Sequence, residues 1–255
     1  MKARSAVQLF ASVCALGSCL AGPADDVIAK ARAYLGSESA LNSVQSIHFT
    51  GTLDHTEQVP SETDPNVLVE RPVQLPVEIV FQKPSQQRIT VRSEKLVETT
   101  ALDDYDAWQK RSDAQDVTKW QLTLLDAQQI KRLRANTWES LSFFKGIEKR
   151  GGRVEYQGEE TVDGIPCQKL AFIHSENIVF YRYYNKATGK LVKTVTETGG
   201  EIREEGEMIA SGIRFPRRIV NKTPDGKVTA VTIEKVTVNE AFPDSDFAVP
   251  ALAAN

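Results

Sequence analysis

Apolar positions along the chain follow two periods. Between Asp126 and Lys145, Ile130, Leu133, Trp138, Leu141 and Phe144 recur at offsets 0, 3, 8, 11 and 14. This stripe has the helical repeat and predicts one long amphipathic helix. Lys131, Arg132, Arg134 and Glu139 fall off the stripe. Asp126 is placed as N-cap, Gln129 as its capping-box partner, and Leu125 with Ile130 as a hydrophobic staple. Gly146 supplies the stop. A shorter helix is expected over residues 24–35, with Val27, Ile28, Ala31 and Leu35 on its apolar face and Gly36 closing it. Ser37 can cap a second short helix.

Elsewhere the period is two. Ile47, Phe49, Gly51 and Leu53 share one strand face, and His48, Thr50 and Thr52 the other. Val77, Ile79 and Phe81 form the next apolar face, then Ile89 and Val91, with Arg88 and Arg92 pointing the other way. Ala107-Trp108 and the run from Trp120 to Leu124 precede the long helix. Beyond it, short strands are punctuated by Asp163-Gly164, Gly199-Gly200, Ser211-Gly212 and Asp225-Gly226, which are hairpin signals. Residues 202–209 read as one of these strands. Residues 57–74, polar and carrying Pro60, Pro65 and Pro72, read as a loop. The tail from Ala241 reads as an extended arm. The sum is an antiparallel meander of about eleven strands, give or take two. A lone amphipathic helix among strands must lay its apolar face on the sheet. The expected fold is mainly β with α: a curved antiparallel half-barrel, covered on its concave face by helices and wet on its convex face.

Composition changes the picture at the N-terminus. Lys2 and Arg4 precede an apolar run from Val7 to Leu20. The run is too short to span a membrane and reads as a secretion signal over residues 1–21, followed by one domain over 22–255. Two processing routes stay open. Leu16-Gly17-Ser18-Cys19 resembles a lipobox with Cys19 as the lipidated residue, and a plain cut near Ala21 is the alternative. The formal net charge of −3 gives no electrostatic case for nucleic-acid binding. With Cys14 inside the signal and Cys19 at its edge, Cys167 has no thiol partner within the domain, which excludes a disulfide framework. Cys167 reads as a small buried apolar residue.

Candidate chemistry is sparse. His48, His55 and His174 lack metal-ligand spacing, and no GxSxG, P-loop or GxGxxG motif occurs. No cofactor and no catalysis are therefore expected. The acidic cluster Glu197, Glu201, Glu204, Glu205 and Glu207 reads as a solvated strand face and turn. Lys145, Lys149, Arg150 and Arg153 read as a solvated basic helix end.

Several segments together resemble the LolA-like outer-membrane lipoprotein-sorting family. They are Leu35-Gly36 followed by residues 40–47 and Phe49-Thr50-Gly51-Thr52; residues 101–108 ending in Trp108; and Gly164-Ile165-Pro166-Cys167-Gln168-Lys169-Leu170. Residues 184–191, Gly212-Ile213-Arg214-Phe215-Pro216 and residues 238–247 complete the set. Asp104-Tyr105 departs from the family's Asp-Gly turn before the Trp. The resemblance implies an unclosed half-barrel with a helical lid over a hydrophobic cavity that carries or shields acyl chains. It also implies a basic residue that can latch the lid, for which Arg88 and Arg92 on early strands are candidates. On this reading the cavity or lid residues are Phe49, Gly51, Leu53, Ile79, Phe81, Ile89, Val91, Trp108, Ile130, Leu133, Trp138, Leu141 and Phe144. The expected protein is a periplasmic monomer, lipid-anchored if Cys19 is acylated, that binds lipid or lipoprotein acyl chains. The alternative is an envelope scaffold or sensor of the same fold that binds a protein partner through an edge strand or residues 57–74.

Overall fold

The computed structural model describes residues 22–116 and 118–251; the signal segment and Cys19 lie outside them. Helices α1 (Pro23–Leu35) and α2 (Glu38–Ser43) come first. Strands β1 (Ser46–Pro60), β2 (Leu68–Gln82), β3 (Gln86–Arg92), β4 (Leu96–Asp103), β5 (Asp106–Asp113) and β6 (Trp120–Leu124) lead to α3 (Ala127–Ser142). Then follow β7 (Arg153–Val162), β8 (Ile165–Ser175), β9 (Ile178–Asn185), β10 (Leu191–Thr196) and β11 (Glu201–Glu205). The last strands are β12 (Met208–Ala210), β13 (Ile213–Phe215), β14 (Arg218–Lys222) and β15 (Val228–Val238).

Thirteen strands form one open antiparallel sheet in the order β6-β5-β4-β3-β2-β1-β15-β14-β11-β10-β9-β8-β7. The sheet is a half-barrel: β6 and β7 are its free edges. β12 and β13 pair separately as a two-stranded hairpin. The thirteen strands fall within the expected count, but two stretches differ from the sequence reading. Residues 57–74 are not a loop: β1 and β2 pair in register out to Pro60 opposite Leu68, leaving only a short turn. Pro72 and Pro76 are tolerated because β3 pairs with β2 only from Val77, so neither proline interrupts a ladder on that side. The stretch 202–209 is also two strands, broken at Gly206, whose φ of 62° ends β11.

Two apolar clusters hold the helices on the concave face. In one, Val27 and Ala31 of α1 and Ala135 and Trp138 of α3 pack with Leu170, Phe172, Phe180 and Tyr184 of β8 and β9. In the other, Leu41 and Val44 near α2 and Leu141 and Phe143 pack with Ile47, Ile213 and Phe215. α3 starts as its sequence dictates: Asp126 accepts from the backbone N–H groups of Gln128 and Gln129, and the Gln129 side chain reaches back to the Asp126 N–H. It stops a turn early, at Ser142, and not at Gly146. Phe143 and Phe144 take left-handed backbone angles, φ 49° and 72°. That conformation costs roughly 1–2 kcal/mol per residue. Burying a phenylalanine contributes about 1.5–3 kcal/mol, and this bend buries both.

Arg32 ties α1 to this bend. It is 2% exposed, donates from Nη1 to the Phe143 carbonyl at 2.8 Å and the Ser142 carbonyl at 3.1 Å, and pairs with Glu38 at 2.6 Å. Arg32→Met is expected to cost about 2–3 kcal/mol by leaving buried carbonyls unpaired, read as a lowered urea midpoint. Arg88, a sequence candidate for latching the lid, is on the other face. It bonds Asp246 at 2.9 Å and Glu78 at 3.4 Å.

The convex face is wet only in part. Register places Trp108 opposite Ala101, and Ala101 opposite Arg88, so all three face away from α3. The C-terminal arm covers them: the Trp108 indole N–H donates to the Phe247 carbonyl at 2.8 Å, and Phe247 is fully buried. Among the described residues no helix is long and apolar enough to cross a membrane.

Candidate functional site

A cavity of about 430 Å³ lies between the concave face and the C-terminal half of α3, within the size range of small-molecule sites. Its wall is built by alternation. Phe49 is directly opposite Ile79, which is directly opposite Ile89, so one register line presents three apolar side chains from β1, β2 and β3. Leu53, Phe81 and Val91 extend this wall, and Val231, Ile233 and Ile219 continue it across β15 and β14. Phe49 stacks edge-on against Phe81 and Phe215, with ring centroids 6.4 and 5.7 Å apart. Phe143 and Phe144 close the helical side.

Seven of the thirteen residues singled out in the sequence line this cavity: Phe49, Leu53, Ile79, Phe81, Ile89, Val91 and Phe144. Gly51 is beside it for a different reason. The β1–β15 register shifts between Thr50 and Gly51, and a Cβ at Gly51 would fall 2.0 Å from the Thr232 carbonyl oxygen. The close approach serves the strand pairing. Trp138 and Leu141 are spent in the two packed clusters. Leu133 lines a separate cleft beside Thr100 and Ile178. Ile130, in the first turn of α3, is outside the cavity lining, and Trp108 is on the opposite face.

One end of the cavity is charged, and the sequence reading missed it. Glu139 and Ser140 of α3, Arg182 of β9, Glu204 of β11 and Arg214 of β13 all line it. Glu139, off the apolar stripe, faces the sheet. It pairs with Arg182 and lies 2.7 Å from His174 Nε2. The Arg182 guanidinium is stacked 4.8 and 4.9 Å from the ring centres of Phe144 and Phe172. A signal existed: Ile178, Phe180, Arg182 and Tyr184 alternate onto one face, so an arginine interrupts an otherwise apolar and aromatic row. The acidic cluster divides. Glu197 pairs with Arg132, Glu201 with Arg203, and Glu207 with Lys190 and Arg214. Glu204 is half-buried and lines both this cavity and a small pocket beside Tyr34 and Lys190.

Burial raises the Glu204 pKa, against the opposing pull of Arg182 and Lys190. Such a carboxyl weighs against the fold once pH exceeds its ordinary value of 4.5, and the penalty grows until the folded-state pKa is passed. Glu204→Gln removes the penalty. The variant is expected to melt with wild type near about pH 4 and progressively above it toward neutral pH. A melting difference independent of pH would contradict this.

The histidine and cysteine candidates lie outside the cavity lining. His48 sits 3.0 Å from Glu78 and 2.7 Å from Glu240. Cys167 is buried, its thiol 3.4 Å from the Ile165 carbonyl. Among the described residues no group of His, Cys, Asp and Glu is placed to hold a metal ion.

No protein-family model matches the chain, and no curated protein matches it. Solved structures do. A LolA superfamily protein from Nitrosomonas europaea superposes with a TM-score of 0.58 at 12% identity, covering 90% of this chain and 99% of that one. A DUF1329 family protein from Desulfovibrio piger gives 0.57 at 9%, covering 89% and 98%. A putative outer membrane lipoprotein-sorting protein domain from Vibrio parahaemolyticus gives 0.53 at 9%, covering 88% and 97%. Near-complete coverage on both sides means that the similarity is to the whole architecture, sheet and helices together. The chain has the LolA-like fold.

Proposed function

We propose that this protein binds the acyl chains of a lipid or lipoprotein in the cavity under α3, without catalysis, in the periplasm or attached to the envelope, as part of lipid transport or lipoprotein sorting. The observation that carries this reading is the continuous apolar wall across β3-β2-β1-β15-β14, left unfilled by the helices that cover it. Adjacent strands lie about 4.8 Å apart, so four strand steps give a wall roughly 19 Å across. Removing a methylene from water is worth about 0.8 kcal/mol, and a bilayer offers a similar gain. A carrier therefore needs a cavity comparable to the membrane, yet able to release. The fold match and the secretion-type N-terminus support the same reading.

The test is a titration of the purified protein with a fluorescent fatty-acyl probe, followed by competition with unlabelled lipid. Saturable, competable binding is the expected result. No uptake of any amphiphile would overturn the reading.

One observation favours a second reading, an envelope scaffold or sensor with a protein partner. The β1–β2 ribbon extends past β3, and Val67, Leu68 and Val69 at its tip are exposed. Pull-down of a defined envelope partner that is lost in Leu68→Asp, with amphiphile binding absent, would move the conclusion there.

A further inference from the structure

The charged end of the cavity has an unmet hydrogen-bond donor. Arg182 is 7% exposed, and its Nε–H has no partner. Its Nη1 is engaged by the Glu139 carboxylate. Tyr184 beside it is 1% exposed and outside the cavity lining. A buried donor without an acceptor is costly and uncommon in folded proteins. Here the guanidinium opens onto a cavity that is otherwise apolar. Two arginines, Arg182 and Arg214, and two carboxylates, Glu139 and Glu204, line the space; Glu207, which pairs with Arg214, lies outside the lining. Burial favours the protonated form of Glu204. The unmet Nε–H of Arg182 calls for an acceptor on the bound headgroup.

We propose that the cavity selects single-chain amphiphiles with an anionic headgroup, a carboxylate or a phosphate monoester, whose oxygens accept from Arg182 while the chain lies along β1–β3. This inference rests on the acyl-binding reading above and names its ligand class. The guanidinium is held in place by the flanking Phe144 and Phe172 rings and by Glu139, so little freedom is lost when an anion docks.

The experiment compares hexadecanoic acid, its methyl ester and hexadecyl phosphate as competitors in the same probe titration, each below its micelle concentration. A charge-assisted hydrogen bond at a desolvated site predicts that the acid binds at least about tenfold tighter than the ester. Phosphate binding as strong as that of the acid extends the class to both anions, and weaker phosphate binding restricts it to carboxylates. In Arg182→Met the acid should bind no better than the ester. Equal binding of acid and ester by wild type overturns the headgroup proposal and leaves the carrier reading standing; this arm needs no variant to fold. An acid preference that persists in Arg182→Met also overturns it. Binding of none of the three would overturn both readings together.

Discussion

Phe172→Ala is expected to destabilise the protein by about 3–5 kcal/mol, the range for truncating a fully buried aromatic. Phe172 is completely buried on the concave face of β8. Its ring lies 6.5 Å from that of Trp138 on α3 and 6.1 Å from that of Phe144 at the bend beyond α3. Arg182 stacks on it from β9. Helix α3, the bend beyond it and β9 therefore all meet on one side chain of β8. Urea denaturation should show a lower midpoint with an unchanged slope, since the surface exposed on unfolding is the same. A loss below about 1 kcal/mol, the typical effect of an average substitution, would mean that α3 is not packed on β8 and β9 as described.

The second large effect is on binding. Ile79→Asp should lower the affinity for an acyl probe by about 100-fold or more, because an unpaired carboxylate would face the chain in an apolar wall. Ile79 is at the centre of that wall, directly opposite Phe49 on one side and Ile89 on the other. The cost to folding should be smaller than for Phe172, since the Ile79 side chain borders open space. The two variants thus separate roles that the sequence presents identically, as apolar residues in alternating strands. Unchanged probe affinity in Ile79→Asp, with the fold intact by circular dichroism, would place any bound chain elsewhere on the molecule.

The fold was legible wherever local chemistry dictates it. The Asp126 cap, the Asp163-Gly164 and Ser211-Gly212 turns with both residues at positive φ, and the period-two faces of β1 to β3 all form as their sequences require. The errors have physical causes. Prolines in 57–74 suggested a loop, because sequence alone does not reveal that one side of β2 is free there. Gly146 suggested the end of α3, but burial of Phe143 and Phe144 outweighed their backbone cost. Alternation gives two faces without saying which is inward. The apolar character of Trp108 suggests the cavity, whereas the C-terminal arm supplies a second covered face that accounts for its burial.

The apolar half of the candidate site was readable and the charged half was not. Patterning treats a charge as a mark of solvent, which points Glu139 and Glu204 outward. Only the three-dimensional packing brings α3, β9 and β11 to one end of one cavity.

The most direct test of the central claim is native mass spectrometry of the protein purified from its own cells without detergent, followed by solvent extraction of any adduct. The account predicts a non-covalent amphiphile adduct that is lost on extraction and is absent from Ile79→Asp. A bare polypeptide that also fails to take up added acyl lipid would contradict it.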